Sequence, residues 1–294
     1  MIKNVIVTGA AGFLGANLVY KLSEHNYTVY AIVRPGSLHN TRLDGIGNVH
    51  VIELDMEQIS CLPDKFKTFS TPIDTFYHLA WHGNRYDMIE QNRNIDESLR
   101  TVEVAHKLGC RRWIATGSQA EYGARTELLT EDLIPNPFCA YGSAKVAACY
   151  TTRYYAKELE MDWIWARIHS LYGKYEPSGR MLPDLINSLK TGKDVTLSSC
   201  TQYWNYLDAQ DAADALIALG ERGHSGEIYN IAAEESRPLK DYVETIHKMY
   251  GAEVTITYGN PPAPFVSLRP SLDKLKNDTG WAQKIPFEMG LKAL

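Results

Sequence analysis

Short apolar runs alternate with longer segments in which apolar residues recur every three or four positions. The first run, residues 4–8, passes through a glycine-rich turn into a helical pattern that extends to Leu22. Strand-like runs follow at residues 28–33, 49–54, 75–80 and 112–116. The run at residues 75–80 is mostly apolar, which is typical of a strand covered on both faces. This alternation predicts an α/β fold with a parallel sheet.

Two long helical patterns complete this organisation. One runs from Tyr86 to Leu108 and contains Asn94, and the other begins near Ala140. The chain has no internal repeat and no low-complexity segment. Its 294 residues and 45% hydrophobic content allow one large domain or two closely packed domains.

The turn after the first run has three glycines at regular spacing, Gly9, Gly12 and Gly15. In a strand–turn–helix unit, the first permits a tight turn and the second lets the backbone approach a pyrophosphate. The third allows close packing of helix and strand. The pattern predicts a dinucleotide site with the phosphates at the helix N-terminus. The alternative is a glycine-rich turn that binds nothing.

The end of the second run bears on the choice of cofactor. A site that prefers NAD usually places an acid there, on the adenosine ribose. This chain instead has Arg34, followed by Ser37, His39 and Arg42. A guanidinium suits the 2′-phosphate of NADP. The sequence therefore favours NADP over NAD, with an ordinary solvated arginine as the alternative interpretation of Arg34.

The third and fourth runs end in further candidate positions. Asp55 and Met56 follow the third run, where an adenine ring could lie, although Asp55 could equally cap a helix. His78 lies inside the fourth run, and we expect a packed core histidine rather than a catalyst.

Tyr141 and Lys145 are four residues apart at the start of the last helix, so both side chains lie on one helical face. A tyrosine hydroxyl loses its proton near pH 10, and a nearby cation favours the phenolate. Tyr-x-x-x-Lys also arises by chance in helices. Ser118 strengthens the catalytic interpretation, because it follows a strand at the edge of the sheet where ligands gather.

Composition and charge exclude several classes of function. The net charge is −5 and no long basic run occurs, which argues against nucleic-acid binding. No apolar run approaches the roughly twenty residues that span a bilayer, and residues 1–5 lack the apolar core of a signal peptide. The five cysteines form no C-x-x-C pair, so we expect no metal site, reduced thiols and a cytoplasmic protein.

Over nearly its whole length, the chain resembles the extended short-chain dehydrogenase/reductase family, in the branch of nucleotide-sugar epimerases, dehydratases and reductases. The residues that carry the resemblance are Gly9-x-x-Gly12-x-x-Gly15, His78-Leu79-Ala80, Asn94, Ser118, Tyr122-Gly123, Thr130-Glu131, Tyr141-x-x-x-Lys145, Arg167 to Gly173, Asp211-Ala212-Ala213, Arg269-Pro270 and Gly280-Trp281.

The resemblance implies a doubly wound, Rossmann-type parallel sheet of about seven strands and a smaller C-terminal substrate domain. Residues 1–172, rejoined by about 203–233, would bind the dinucleotide, and residues 173–294 would cover the nucleotide sugar. The implied cofactor contacts are Gly9, Gly12, Phe13, Leu14, Gly15, Arg34, Asp55, Met56, Leu79, Ala80, Asn94, Tyr141 and Lys145. The candidate substrate contacts are Trp81, His82, Thr116, Gln119, Glu121, Ser170 and Arg269.

Three positions depart from the family pattern. Trp204-Asn205 replaces an Arg-Asp pair, and Ser170 stands where relatives often have asparagine. These two changes put the usual diphosphate and sugar contacts in doubt. Gln119-Ala120 stands where the 4,6-dehydratase branch has Asp-Glu, so the sequence disfavours dehydration.

The resemblance implies hydride transfer at C4 of a nucleotide-activated sugar, with Ser118 and Tyr141 holding the reacting oxygen. Lys145 would lower the phenol pKa and bind the nicotinamide ribose. Arg34 favours an NADPH-dependent 4-keto-6-deoxyhexose reductase over an NAD-dependent 4-epimerase. A non-catalytic dinucleotide sensor is the alternative of another class. The family also implies a homodimer built from the helices that contain Asn94 and Tyr141.

Overall fold

The computed structural model describes residues 3–66, 72–251 and 253–294. The first two residues, to which the signal-peptide expectation partly refers, lie outside these ranges. The strands are β1 (Asn4–Thr8), β2 (Thr28–Val33), β3 (Val49–Glu53), β4 (Thr75–His78), β5 (Arg112–Ser118), β6 (Asp162–Ile168), β7 (Ser170–Tyr172), β8 (Val195–Leu197), β9 (Tyr203–Trp204), β10 (Tyr206–Asp208), β11 (Glu227–Ile231), β12 (Arg237–Pro238) and β13 (Ile256–Tyr258).

The helices account for most of the longer periodic segments. They are α1 (Phe13–Glu24), α2 (Leu62–Phe66), α3 (Met88–Lys107), α4 (Ala140–Glu158), α5 (Met181–Lys190), α6 (Ala209–Arg222), α7 (Leu239–Tyr250), α8 (Asp273–Thr279) and α9 (Phe287–Leu291). Short 3-10 helices span Leu38–Leu43, Met56–Cys61 and Gln119–Glu121.

A seven-stranded sheet in the order β3-β2-β1-β4-β5-β6-β11 forms the centre of the molecule, and all of its strand pairs are parallel. The predicted doubly wound, Rossmann-type sheet is confirmed. The strand order reverses between β1 and β4, and the crevice at the carboxyl ends of such strands is where α/β sheets bind ligands.

Helices cover both faces of the sheet because its inner strands have apolar side chains on both sides. In β1, Val5 and Val7 join the core under α1 and α6, whereas Ile6 joins the opposite core. That opposite core lies under α3 and α4 and contains Trp113, Trp163 and Trp165. The large buried rings fix the positions of α3 and α4, and α4 is the helix that carries Tyr141.

The C-terminal part of the chain packs around a third apolar cluster. Tyr172, Tyr206 and Phe287 meet there with the buried faces of α5 and α7. The chain also returns to the first unit, since α6 packs on α1 and β11 pairs with β6. The division into a dinucleotide part and a substrate part remains a proposal built on this arrangement.

Candidate active site

The glycine turn brings β1, the start of α1 and the end of β4 into close contact. Gly9 has a φ of +66°, and a Cβ atom there would lie 2.7 Å from the Ala80 amide nitrogen. A Cβ on Gly15 would lie 2.1 Å from the Gly9 carbonyl oxygen. Both positions therefore exclude a side chain. Gly12 is the N-cap of α1 and provides no side-chain cap, so the helix N-terminus is not covered by its own cap residue.

A cavity of about 400 Å³ lies against this turn. It is large enough to take a substantial part of a dinucleotide. Of the predicted cofactor and substrate residues, those that line it are Gly9, Gly12, Arg34, Asp55, Met56, Leu79, Ala80, Trp81 and His82. Phe13 and Leu14 instead pack against the core under α1.

Polar side chains surround the end of β2. Arg34, Ser37, His39 and Asn40 all line the cavity there, and the Asn40 amide nitrogen donates to the Arg34 carbonyl oxygen and to Glu53. Arg42 does not share this place: its Nη1 donates to the Ala11 carbonyl oxygen at 3.0 Å, and the guanidinium lies over the Tyr175 ring. Of these two arginines, Arg34 is the one that lines the cavity.

Asp55 takes the capping role that the sequence left open. Its carboxylate accepts a hydrogen bond from the Glu57 amide at 3.1 Å and caps the 3-10 helix Met56–Cys61. It also lines the cavity, together with Met56. A residue in this position can both hold the cavity wall and contact a bound base.

The structure brings Ser118, Tyr141 and Lys145 together. Ser118 is the last residue of β5, and its side chain is hydrogen-bonded to the Tyr141 hydroxyl. The Lys145 Nζ atom is buried and donates to the Thr116 carbonyl oxygen at 2.6 Å. A serine, a phenol and an ammonium thus lie together at the carboxyl end of one strand.

Trp81 covers Lys145. The Lys145 Nζ atom lies 3.5 Å from the centre of the Trp81 ring, which is close for a cation–π contact. The indole is also in edge contact with Tyr141, and its Nε1 atom donates to Gln91 at 2.8 Å. The Trp81 side chain, expected in the sugar pocket, therefore packs directly on Lys145 and Tyr141.

Burial changes the acid–base behaviour of both ionisable groups. Burial raises the pKa of Tyr141, against the lowering effects of the Ser118 hydrogen bond and the Arg85 and Arg180 charges. Burial also lowers the pKa of Lys145 to about 7, although the charge of Glu121 opposes that shift. The lowered phenol pKa expected from Lys145 is not present in this structure, in which the ammonium is directed to Thr116.

Glu121 does not lie in the sugar pocket. Its side chain is fully buried, and Oε1 accepts hydrogen bonds from the Ser118 amide at 2.7 Å and from Trp165 at 2.9 Å. Oε2 accepts from the Arg167 Nε atom at 2.8 Å. With its oxygens bonded inside the core, the carboxylate cannot reach a bound sugar. Glu121 instead fixes the backbone of Ser118, which corrects the expected substrate contact.

Asn94 holds the segment that follows β4. Its Oδ1 accepts a hydrogen bond from the His82 amide, and its Nδ2 donates to the His82 carbonyl oxygen, both at 2.9 Å. The His82 ring lies 3.2 Å from the Glu97 carboxylate. Asn94, which the resemblance gave as a cofactor contact, therefore acts on the cavity wall through the His82 peptide.

The remaining predicted substrate residues are Gln119, Ser170 and Arg269. Gln119 begins the 3-10 helix after Ser118, and Ser170 begins β7 and is partly exposed. The Arg269 guanidinium donates to the Thr126 carbonyl oxygen and lies over the Tyr203 ring. These three residues stay proposed contacts.

The structure shows what Asn205 does at the position where the family pattern has an Arg-Asp pair. Asn205 is fully buried and its amide group bonds to the backbone of Ala233 and Glu235. It therefore ties β10 to the segment after β11 and has no free group for a ligand. Trp204 packs against the Tyr206 ring and against the apolar clusters that contain Tyr206 and Tyr122.

Sequence reasoning missed two cations near Tyr141, Arg85 and Arg180. Arg85 lies in the loop between β4 and α3, and Arg180 is the N-cap of α5. Both are exposed arginines in irregular segments, and neither belongs to a motif. A sequence gives no signal for such residues, because their proximity to Tyr141 depends on the path of the loops.

Four expectations concern His78, the cysteines, metal sites and membrane-spanning helices. His78 is buried between Thr8 and Ser98, and burial lowers its pKa to about 3, so the expected core histidine is confirmed. The five cysteines are free. Within residues 3–66, 72–251 and 253–294, no cluster of metal-binding side chains occurs and no helix has the length and apolarity to cross a bilayer.

Comparison with known families gives a match over most of the chain. The model of the family described as "NAD dependent epimerase/dehydratase family" matches residues 5–232. A curated relative is the trifunctional UDP-glucose 4,6-dehydratase/UDP-4-keto-6-deoxy-D-glucose 3,5-epimerase/UDP-4-keto-L-rhamnose-reductase of Arabidopsis thaliana. It is 26% identical over 317 residues, which cover 99% of this chain and 46% of that protein. This chain thus spans about half the length of that relative.

Two further comparisons cover nearly whole proteins. The dTDP-D-glucose 4,6-dehydratase of Mus musculus is 25% identical over 317 residues, which cover 99% of this chain and 87% of the relative. The crystal structure of UDP-glucuronic acid 4-epimerase from Bacillus cereus, in complex with UDP-glucuronic acid and NAD, matches with a TM-score of 0.86. That match is 21% identical and covers 99% of this chain and 97% of the other, so it shows the shared fold.

Proposed function

This chain belongs to the NAD dependent epimerase/dehydratase family, and on that premise we propose that it is an NADP(H)-dependent oxidoreductase acting at C4 of a nucleotide-activated sugar. Its preferred reaction would be reduction of a 4-keto-6-deoxyhexose. The observation that carries the proposal is the hydrogen bond between Ser118 and Tyr141, with Lys145 one helical turn away. Membership in an enzyme family removes the reason to propose a non-catalytic sensor.

The side chains of this set supply proton transfer and orientation. Ser118 donates a hydrogen bond to the C4 oxygen, and Tyr141 gives that oxygen its proton as the carbonyl is reduced. Because burial raises the pKa of Tyr141, the phenol is protonated at neutral pH and fit to act as an acid. Lys145 replaces the proton or orients the nicotinamide ribose.

The residues around the cavity fit a dinucleotide. Gly9 and Gly12 line the cavity beside the N-terminus of α1, and Arg34 lines it at the end of β2. The bound nicotinamide would supply the hydride. Arg34, Ser37 and His39 would surround the adenosine ribose, and the guanidinium of Arg34 favours the additional phosphate of NADP.

A 4-epimerase is the second candidate, because the Bacillus cereus structure that shares this fold is a 4-epimerase complex with NAD. Dehydration is disfavoured, since Gln119 and Ala120 offer no acid–base pair after Ser118. The plant relative carries a reductase activity in its name, beside a dehydratase and an epimerase. The activity of that longer protein supports the proposal for this chain.

One experiment identifies both the bound cofactor and the reaction, and so distinguishes the reductase from the epimerase. The purified protein is denatured and any released dinucleotide is identified, and NADPH oxidation is then followed with a nucleoside diphosphate-4-keto-6-deoxyhexose. We expect an empty site and consumption of one NADPH per sugar. Retained NAD, with conversion of UDP-glucose and no net NADPH consumption, would instead establish the epimerase.

Replacing Arg34 tests the choice of cofactor. A charge-assisted hydrogen bond is worth about 1.5–3 kcal/mol, or roughly ten- to over a hundredfold in affinity. Arg34→Ala should weaken NADPH binding by that factor and leave NADH nearly unchanged, because NADH has no phosphate at this position. The measurement is the ratio of the two dissociation constants in wild type and variant, with NADH as the internal control. An unchanged ratio would contradict the role of Arg34.

We also propose a homodimer formed through α3 and α4. These helices pack side by side and expose large apolar side chains, including Ile89, Tyr150 and Tyr154. Light scattering at micromolar concentration should give the mass of two 33.1-kDa chains. Tyr154→Asp should reduce that mass by placing a charge in the contact. A monomeric wild type would refute the assembly.

The proposal also covers the place of the substrate, the domain boundaries and the cellular compartment. A nucleotide sugar would lie between residues 1–172 and 173–294, near Trp81, His82, Thr116, Gln119, Ser170 and Arg269. The five free cysteines are compatible with a reducing cytoplasm.

A further inference from the structure

The loop between β4 and α3 is attached to the helix turn that carries Tyr141. The Tyr141 amide donates to the Arg85 carbonyl oxygen at 2.9 Å. The Arg85 Nη2 atom lies 3.7 Å from the Cys139 Sγ atom, which also accepts a hydrogen bond from the Gly142 amide. Arg85 therefore contacts the first turn of α4 through both its backbone and its side chain.

The Arg85 guanidinium also lies on the phenol itself. Its Cζ atom is 5.6 Å from the centre of the Tyr141 ring, within the range of a cation–π contact. The Lys145 Nζ atom is slightly farther from that ring centre, at 5.9 Å, and is already bonded to Thr116 under the Trp81 ring. Arg85 is thus the cation on the ring whose charge is not committed to a buried carbonyl.

We propose that Arg85 is a positioning residue of the reaction. Its carbonyl oxygen fixes the turn that carries Tyr141, and its guanidinium stabilises the negative charge that the phenol holds after its proton has left. The inference rests on the proposed function, because it concerns the residue that transfers the proton. A negative charge spread over the phenolate ring attracts a nearby cation more strongly than the neutral phenol does.

Other charged and polar groups around Tyr141 also affect the pKa of its phenol. Ser118 donates from the end of β5, and Glu121 lies beneath it with a negative charge that opposes ionisation. Lys145 faces the ring from α4, and Arg180 contributes a positive charge from the start of α5. The charge of Arg85 lowers the phenol pKa in the same sense as that of Arg180, against the raising effect of burial.

The test measures the phenolate fraction of Tyr141 through the rate at which NADP⁺ oxidises a nucleoside diphosphate-6-deoxyhexose. In this direction Tyr141 accepts the proton, so the single-turnover rate below its pKa is proportional to the phenolate fraction. One charge at this distance near a protein surface changes a pKa by about 0.5–1 unit. Arg85→Gln should therefore slow the step about three- to tenfold between pH 7 and 9. The apparent affinity for the sugar should stay within about twofold.

Two controls separate charge from structure. Arg85→Lys keeps the charge and the backbone bond and should retain at least half of the wild-type rate. Lys248→Gln removes one positive charge from an exposed position of α7 and should have no effect. An Arg85→Gln rate equal to wild type, or an Arg85→Lys rate as low as that of Arg85→Gln, would overturn the proposal.

A second measurement does not depend on activity. With ¹³Cζ-labelled tyrosine, the Tyr141 resonance is assigned by its loss in Tyr141→Phe, and its ionised fraction at pH 10 is compared between variants. That fraction should fall in Arg85→Gln and be unchanged in Lys248→Gln. Equal fractions would overturn the role of Arg85. Absence of hydride transfer in the wild type would instead overturn the proposed function and leave this comparison valid.

Discussion

Tyr141→Phe should lower the rate of NADPH-dependent sugar reduction about a hundred- to ten-thousandfold, the usual contribution of a well-placed acid or base. The substitution removes the one hydroxyl that is hydrogen-bonded to Ser118 at the end of β5 and leaves the ring that packs against Trp81. The active-site shape is therefore kept and the transferable proton is lost. The checks are the single-turnover rate and the dissociation constant of NADPH.

Cofactor affinity is the internal control for that experiment. The phenylalanine ring keeps the contact area of Tyr141, so the NADPH dissociation constant should change by no more than a few-fold. A variant that kept more than about a tenth of the wild-type rate would show that another group donates the proton. A large loss of NADPH binding would indicate that the hydroxyl contacts the cofactor instead.

The sheet could be predicted because its strands are short apolar runs placed between helical patterns. Each predicted strand of the first half exists, with β5 extended by two residues to end at Ser118. That extension matters, because it places the serine on the rigid sheet edge rather than in a loop. The contact between Tyr141 and Lys145 on one helical face also follows from helix periodicity alone.

The positions that sequence reasoning misjudged depend on tertiary contacts. Glu121 is an acidic residue close to Ser118 in the chain, and it was therefore expected in the sugar pocket. The fold instead places Arg167 and Trp165 from the neighbouring strand against its carboxylate. Asn94 forms its hydrogen bonds with the His82 peptide, in the segment after β4. Such partners come from β6 and from the chain after β4, far away in sequence, and no local pattern indicates them.

Glu121→Ala should destabilise the folded protein by about 3–5 kcal/mol, because removing one partner of a buried ion pair leaves an uncompensated charge. The Arg167 side chain is only 1% exposed and would lose the carboxylate at 2.8 Å from its Nε atom. The Ser118 amide and the Trp165 indole would lose their acceptor as well. Chemical denaturation followed by circular dichroism measures the difference in the free energy of unfolding.

Two further variants identify the unpaired charge as the cause. Glu234→Ala removes a carboxylate from a half-exposed pair with Lys276 and should cost less than about 1 kcal/mol. The double substitution Glu121→Leu with Arg167→Met removes both buried charges and should recover much of the lost stability, since apolar replacements of similar volume tolerate burial. If the double variant were no more stable than Glu121→Ala, the loss would come from the Ser118 and Trp165 hydrogen bonds. Activity should stay low in the double variant even when stability returns, because the backbone of Ser118 then lacks the acceptor that holds it beside Tyr141.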